Sequence, residues 1–139
     1  MESKEISRGV QIPEDRLDLF AKPTIAHLAT LMPDGTPHVT PVWIDFDGTF
    51  ILVNTAEGRQ KDRNVRLNPH VALDMVDPEN PYRFLAVQGL VLEITKQDAE
   101  QHIDRLAGRY LGLASYPHRR PSERRQIFKI LPLHVLGRN

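Results

Sequence analysis

Short runs of apolar and β-branched residues, cut apart by turn residues, recur along this chain and predict strands. The run from Thr24 to Leu31 reads as the first strand, and Pro33-Asp34-Gly35-Thr36 ends it in a turn. The returning arm, His38 to Phe46, alternates until Asp47-Gly48 turns the chain into a third strand, Thr49 to Asn54. Pro41 lies inside the second strand and has no N–H to give to a ladder. That strand therefore belongs at a sheet edge, or bends between Thr40 and Trp43, leaving backbone free to meet something else. Val71 to Val76 and Arg83 to Thr95 are further strands, the latter long, with Gly89 as a bulge or closure point. Ile127 to Leu136, interrupted by Pro132, closes the series.

Between the strands the period changes. Pro13 to Phe20 opens with proline and early acids, as helix starts do, and sets Leu17 and Phe20 on one side. A helix over Gly58 to Leu67 puts Val65 and the stem of Lys61 on one face, and Asn68-Pro69 stops it. A second, over Lys96 to Tyr110, spaces Ile103, Leu106 and Tyr110 helically, with Asp98 as its cap. Strands joined mostly by turns, with helices after the third and fifth, predict an α+β barrel-like fold. The glycine-rich dinucleotide fingerprint is absent, so a doubly wound parallel sheet has no support.

The 139 residues, 40% hydrophobic and 26% charged, suit one domain over residues 1–139. That size leaves little room for a deep private cofactor pocket, which favours a site shared between subunits. The 18 basic and 18 acidic residues cancel, so the long-range field that draws in nucleic acid or an anionic membrane is missing. Without cysteine, disulfides and thiolate chemistry are excluded. The start, Met1 to Glu5, lacks the pattern of a secretory signal, and no apolar run reaches the roughly 20 residues of a membrane helix. A cytoplasmic protein is expected. The six histidines are scattered without metal spacing, so no metal site is expected.

Candidate chemistry concentrates between Val53 and Asn64. A strand ends in Asn54 and Thr55, Gly58 opens the next element, and Arg59 and Lys61 follow in the first turn of a helix. Unpaired helix N–H groups, a two-pronged guanidinium and an ammonium together suit a phosphate. On spacing alone, a solvated basic face balanced by Glu57 and Asp62 is the commoner outcome.

A wider pattern shifts that balance. Leu28-Ala29-Thr30, the stretch Pro33 to Trp43, Asn54-Thr55, Gly58-Arg59-Gln60-Lys61 and Asn68-Pro69, in this order from about Leu17 to Arg138, resemble the pyridoxamine 5′-phosphate oxidase-like split-barrel superfamily. More narrowly the chain is similar to its flavin/deazaflavin oxidoreductases, which use coenzyme F420. The resemblance implies a six-stranded antiparallel split β-barrel with short flanking helices, an FMN-binding type of barrel. It implies a homodimer with the cofactor groove between subunits. It also implies that Arg59 and Lys61 hold the cofactor phosphate with Asn54, Thr55 and Gly58 beside it, Asn64 supporting from one turn on. Thr40, Pro41, Val42 and Trp43 would line the ring system. The ending, Lys129 to Arg138, lacks the tryptophan- and arginine-containing segment of true pyridoxamine phosphate oxidases, which argues against vitamin oxidation; it and Tyr82-Arg83-Phe84 look like the deazaflavin group.

The activity so implied is hydride transfer between coenzyme F420 and a conjugated small molecule such as an enone, a quinone or a tetrapyrrole. FMN in the same fold is the alternative cofactor, and a non-catalytic flavin or haem binder the alternative role. No residue stands out as a catalytic acid, and the cofactor itself carries the hydride chemistry. Two readings stay open for the loop Tyr116 to Pro121, a lid or contact to an anionic tail, and a solvated connector. Trp43, the single tryptophan, fits core or interface packing as well as stacking near the ring.

Overall fold

In the computed structural model the described residues are 9–137; the start at Met1 to Glu5 and the terminal Arg138, both used above, lie outside them. A 3₁₀ turn at Glu14–Arg16 and a short helix α1 at Asp18–Ala21 lead into β1 (Ala26–Leu31), β2 (Pro37–Val42), β3 (Asp45–Phe46) and β4 (Ile51–Ala56). Helix α2 (Gln60–Leu67), β5 (His70–Val76), β6 (Phe84–Thr95), helix α3 (Ala99–Leu111) and β7 (Arg125–Gly137) follow. All pairings are antiparallel, in the order β2-β1-β5-β6-β7-β4-β3.

The sheet curls because its longest strands bend. β6 and β7 pair through three register shifts, between Ala86 and Val87, between Gln88 and Gly89, and between Val91 and Glu93. Each shift tightens the local twist. At Gly89 the strands approach so closely that a Cβ would lie 2.7 Å from Ile130 Cγ2 and 2.9 Å from the Leu131 carbonyl oxygen. Only glycine fits there. Inward-facing residues of the curled sheet, among them Leu28, Val53, Leu73, Met75, Val87, Phe128 and Ile130, make one core with Leu19 and Phe20 of α1 and Val65 of α2. β4 is buried on both sides, since Leu52 joins Ala99 and Ile127 in a second cluster under α3.

Pro41 sits on an edge strand, as its missing donor requires, opposite His27. The arm from His38 to Phe46 is not continuous, however. It breaks at Trp43-Ile44, because the Ile44 N–H donates to the Tyr110 hydroxyl (3.0 Å) and the Ile44 carbonyl accepts from Arg109 (3.2 Å). Side chains of α3 take the groups a ladder would use, and the two-residue β3 beyond the break makes seven strands instead of six. The leading helix divides at Leu17 into the 3₁₀ turn and α1. Asp98 holds the N-cap position of α3 but at φ 61°, without a side-chain cap bond.

Candidate functional site

Near the end of β4 the apolar run gives way to Asn54 and Thr55, which share a cleft with Pro41, Val42 and Trp43 at the break after β2. The chain then reverses through Gly58, at φ +91°, into α2. Asp62, buried in the first turn, accepts from the Gly58 N–H (2.8 Å) and from Gln126 Nε2 and Arg66 Nε. This carboxylate anchors the start of α2 and leaves Arg59 and Lys61 on its open side.

Those two residues face a cleft of about 330 Å³. Pro41, Val42 and Trp43 form one wall, Asn54 and Thr55 the floor, and Ile103 of α3 with Ile25 adds apolar surface. Tyr116, His118 and Arg125 close the other side. Trp43 stacks on Tyr110 (centroids 5.0 Å apart) and meets Tyr116 edge-on, while the Arg125 guanidinium lies 5.2 Å over the Tyr116 ring.

The cleft is short of negative charge. Lys61 is only 9% exposed and has no hydrogen bond or ion pair among the described residues. Burial pushes its ammonium down from the usual lysine range, and the neighbouring Arg59 and Arg125 push it further. Arg125, 5% exposed, donates through Nε to Asn54 Oδ1 (2.9 Å), yet its Nη1 is buried without a hydrogen bond. Glu123 lies 3.1 Å from Arg59 Nη2 and 3.5 Å from Arg125 Nη1, balancing part of that pair. Thr55 Oγ1 is also buried and unpartnered. An ammonium, a guanidinium arm and a hydroxyl, none of them hydrogen-bonded among the described residues, stand around one opening and are the donors a phosphate needs. The residues present thus fit a phosphate-bearing cofactor.

Of the residues expected to form the site, the structure brings together Pro41, Val42, Trp43, Asn54, Thr55, Arg59 and Lys61. Thr40 and Gly58 adjoin the cleft without lining it. Asn64 is different: it is fully buried, donates to Thr30 Oγ1 (3.0 Å) and accepts from Gln60 (2.8 Å), tying α2 to β1. Its place one turn beyond Gln60 sends it into the core instead of toward the opening.

Arg125, Ile103 and Ile25 were not among the expected residues, and Tyr116 and His118 belong to the loop whose two readings were left open. A basic residue just ahead of the last apolar strand was the one available signal for Arg125. The loop Tyr116 to Pro121 divides: Tyr116 and His118 join the cleft, while Arg119 turns away to Glu100 and Asp104 on α3 (both 3.1 Å). Arg83 is likewise spent elsewhere, on Asp18 and Asp77. Among the described residues no helix is long and apolar enough to cross a membrane, and no three histidine or acidic side chains converge as a metal site.

The curled antiparallel sheet with three short helices is the split-barrel fold, and the comparison with solved structures agrees. An F420 reductase superposes with a TM-score of 0.78 at 35% identity, over 90% of this chain and 98% of that one. A putative pyridoxamine 5′-phosphate oxidase from Listeria innocua (TM-score 0.64, 20% identity, 88% and 94% coverage) shares the fold. So does the haem-storage protein HutZ from Vibrio cholerae (0.60, 17%, 88% and 91%). The sequence matches the pyridoxamine 5′-phosphate oxidase family over residues 12–139, and the chain belongs to that family.

Proposed function

We propose that this protein is an oxidoreductase that binds coenzyme F420, with FMN as the alternative, in the cleft between β2, β4, α2 and α3. The observation that carries the reading is the grouping of donors without a hydrogen bond among the described residues, the Lys61 ammonium, Arg125 Nη1 and Thr55 Oγ1, in a cleft whose other wall is Pro41, Val42 and Trp43. The likeness to the F420 reductase supports the choice of cofactor.

When bound, the deazaflavin supplies hydride to a conjugated acceptor, an enone, quinone or tetrapyrrole. The chain's own part is to bind and orient. Lys61 and Arg125 hold the phosphate, and Arg59 adds charge at the rim. Pro41, which offers no N–H, and Val42 give the ring a flat edge-strand wall beside Trp43. No group in the cleft is assigned as an acid, and solvent is the proton source in this reading. A homodimer with the cleft at its interface belongs to the same reading, supported by Val39 and Leu136, which leave an apolar sheet face 62% and 60% exposed.

Fluorescence titration with F420 and with FMN, followed by turnover of the preferred reduced cofactor with an acceptor panel, tests this. Saturable binding abolished by the Lys61→Ala, Arg125→Ala double variant is expected. Equal binding by variant and parent would refute the site, and tight binding with no turnover on any acceptor would make the protein a carrier.

A further inference from the structure

Behind the cleft, side chains from four elements form one hydrogen-bonded chain: Asp45 of β3, His102 of α3, Asn54 of β4 and Arg125 of β7. His102 is completely buried and does not line the cleft. The direction of each bond follows from groups that can act only one way. The Ala99 carbonyl can only accept, so the nitrogen of Asn54 faces it at 2.8 Å; Arg125 Nε can only donate, so Asn54 Oδ1 faces that, at 2.9 Å. The amide orientation is thus set twice over by chemistry. The second hydrogen on Asn54 Nδ2 points at His102 Nδ1, 3.2 Å away, which must then carry the lone pair. The ring hydrogen is left on Nε2, donating to Asp45 Oδ2 at 3.0 Å. Burial raises the Asp45 carboxyl, but the donors His102, Phe46 N–H and Arg109 outweigh it and hold the group below the usual carboxylate range.

We propose that Asp45, His102 and Asn54 are positioning residues that aim the Arg125 guanidinium at the anion in the cleft, with the neutral Nε2–H form of His102 as the aiming state. The inference rests on the cofactor reading above and assigns Asn54 to Arg125 instead of to the ligand. A second proton on His102 would set N–H against the Asn54 amide nitrogen. Turning the amide to relieve that clash would set its nitrogen against Arg125 Nε and lose the bond to Ala99. The charged groups around the imidazole are Asp45, directly bonded, Arg109 behind Asp45, and Arg125 beyond Asn54; Lys61, Tyr116 and His118 lie further off in the cleft.

A double-mutant cycle with His102→Phe and Arg125→Gln, read by fluorescence titration with F420 and FMN, separates aiming from packing. His102→Phe is expected to weaken binding roughly tenfold, the loss of one well-placed charged contact. In the Arg125→Gln background the same change is expected to cost less than about twofold, because nothing is left to aim. Equal losses in both backgrounds would make His102 a packing residue and overturn the proposal. Should the phenylalanine variant not fold, ¹⁵N spectra of the imidazoles in the ligand-free parent decide: the Nε2–H tautomer is expected for His102, and an Nδ1–H or doubly protonated ring overturns the chain. A parent that binds neither probe sinks the cofactor reading itself, a failure visible before any variant is made.

Discussion

Replacing Lys61 by methionine keeps an unbranched apolar stem at the cleft and removes the charge. Two effects of opposite sign follow. Without ligand, Lys61 is a largely buried cation with no hydrogen bond or ion pair among the described residues, pressed by Arg59 and Arg125, so its removal relieves a cost of about 1 kcal/mol on the scale of poorly compensated buried polar groups. For a chain of this length that raises the melting temperature by about 4 °C. With ligand, the lost ammonium-to-phosphate contact is worth about 1.5–3 kcal/mol, so the dissociation constant rises by about 10- to 150-fold. Ligand at 100 times the parent's dissociation constant stabilises the parent by about 2.7 kcal/mol and the variant far less, so the order of stability reverses. The pH dependence has a definite sign. A lysine whose ammonium is disfavoured in the fold leaves the unfolded chain binding more protons, so the ligand-free parent gains on the variant as pH rises toward the ordinary lysine range. Thermal melts with and without F420 or FMN, alongside fluorescence titration, read all of this. A ligand-free variant no more stable than the parent, or one that keeps the parent's affinity, would refute the reasoning.

Three further outcomes are expected. Asp77 is held at about 2 by the Glu79 N–H first, then by Arg83 and Lys22. Its folded value lies below its unfolded one, so its stabilisation is present above about pH 4 and lost as pH falls toward 2; Asp77→Asn should flatten the acid limb of a denaturation series across that window. Gly89→Ala drives a Cβ against Ile130 and the Leu131 backbone, and should cost about 1–3 kcal/mol in chemical denaturation; a neutral result would mean β6 and β7 can move apart there. Trp43, the sole tryptophan, stands at the cleft between Tyr110 and Tyr116, so its emission should change on F420 or FMN binding in proportion to occupancy. An unchanged spectrum at saturation would place the ring elsewhere.

Much of the fold was legible because its signals are local. Turn residues at Asp34-Gly35 and Asp47-Gly48, the missing donor of Pro41 and the stop at Asn68-Pro69 act within a few residues of themselves, and strands and helices fall where they direct. Element ends were less legible where a distant side chain intervened, as when Tyr110 and Arg109 of α3 claim the backbone of Ile44. The candidate site divides the same way. Arg59 and Lys61 follow Asn54-Thr55 in one continuous stretch, so their shared surroundings could be read directly. Asn64 shares that stretch, but helical rotation turns it into the core. Arg125, Tyr116 and His118 come from the far end of the chain and reach the cleft only because β7 pairs with β4, setting Thr55 opposite Gln126.

By itself, then, the sequence determined which segments form strands, that β2 takes an edge or bends at Pro41, and that two cations follow Gly58 at the start of α2, since each follows from backbone chemistry and side-chain spacing over short range. Tertiary structure alone decided that Lys61 has no hydrogen bond or ion pair among the described residues, that Asn64 is buried against Thr30 and Gln60, and that Asp45, His102 and Asn54 stand in line behind Arg125. Those facts depend on burial and on the meeting of groups tens of residues apart, and no local pattern carries either.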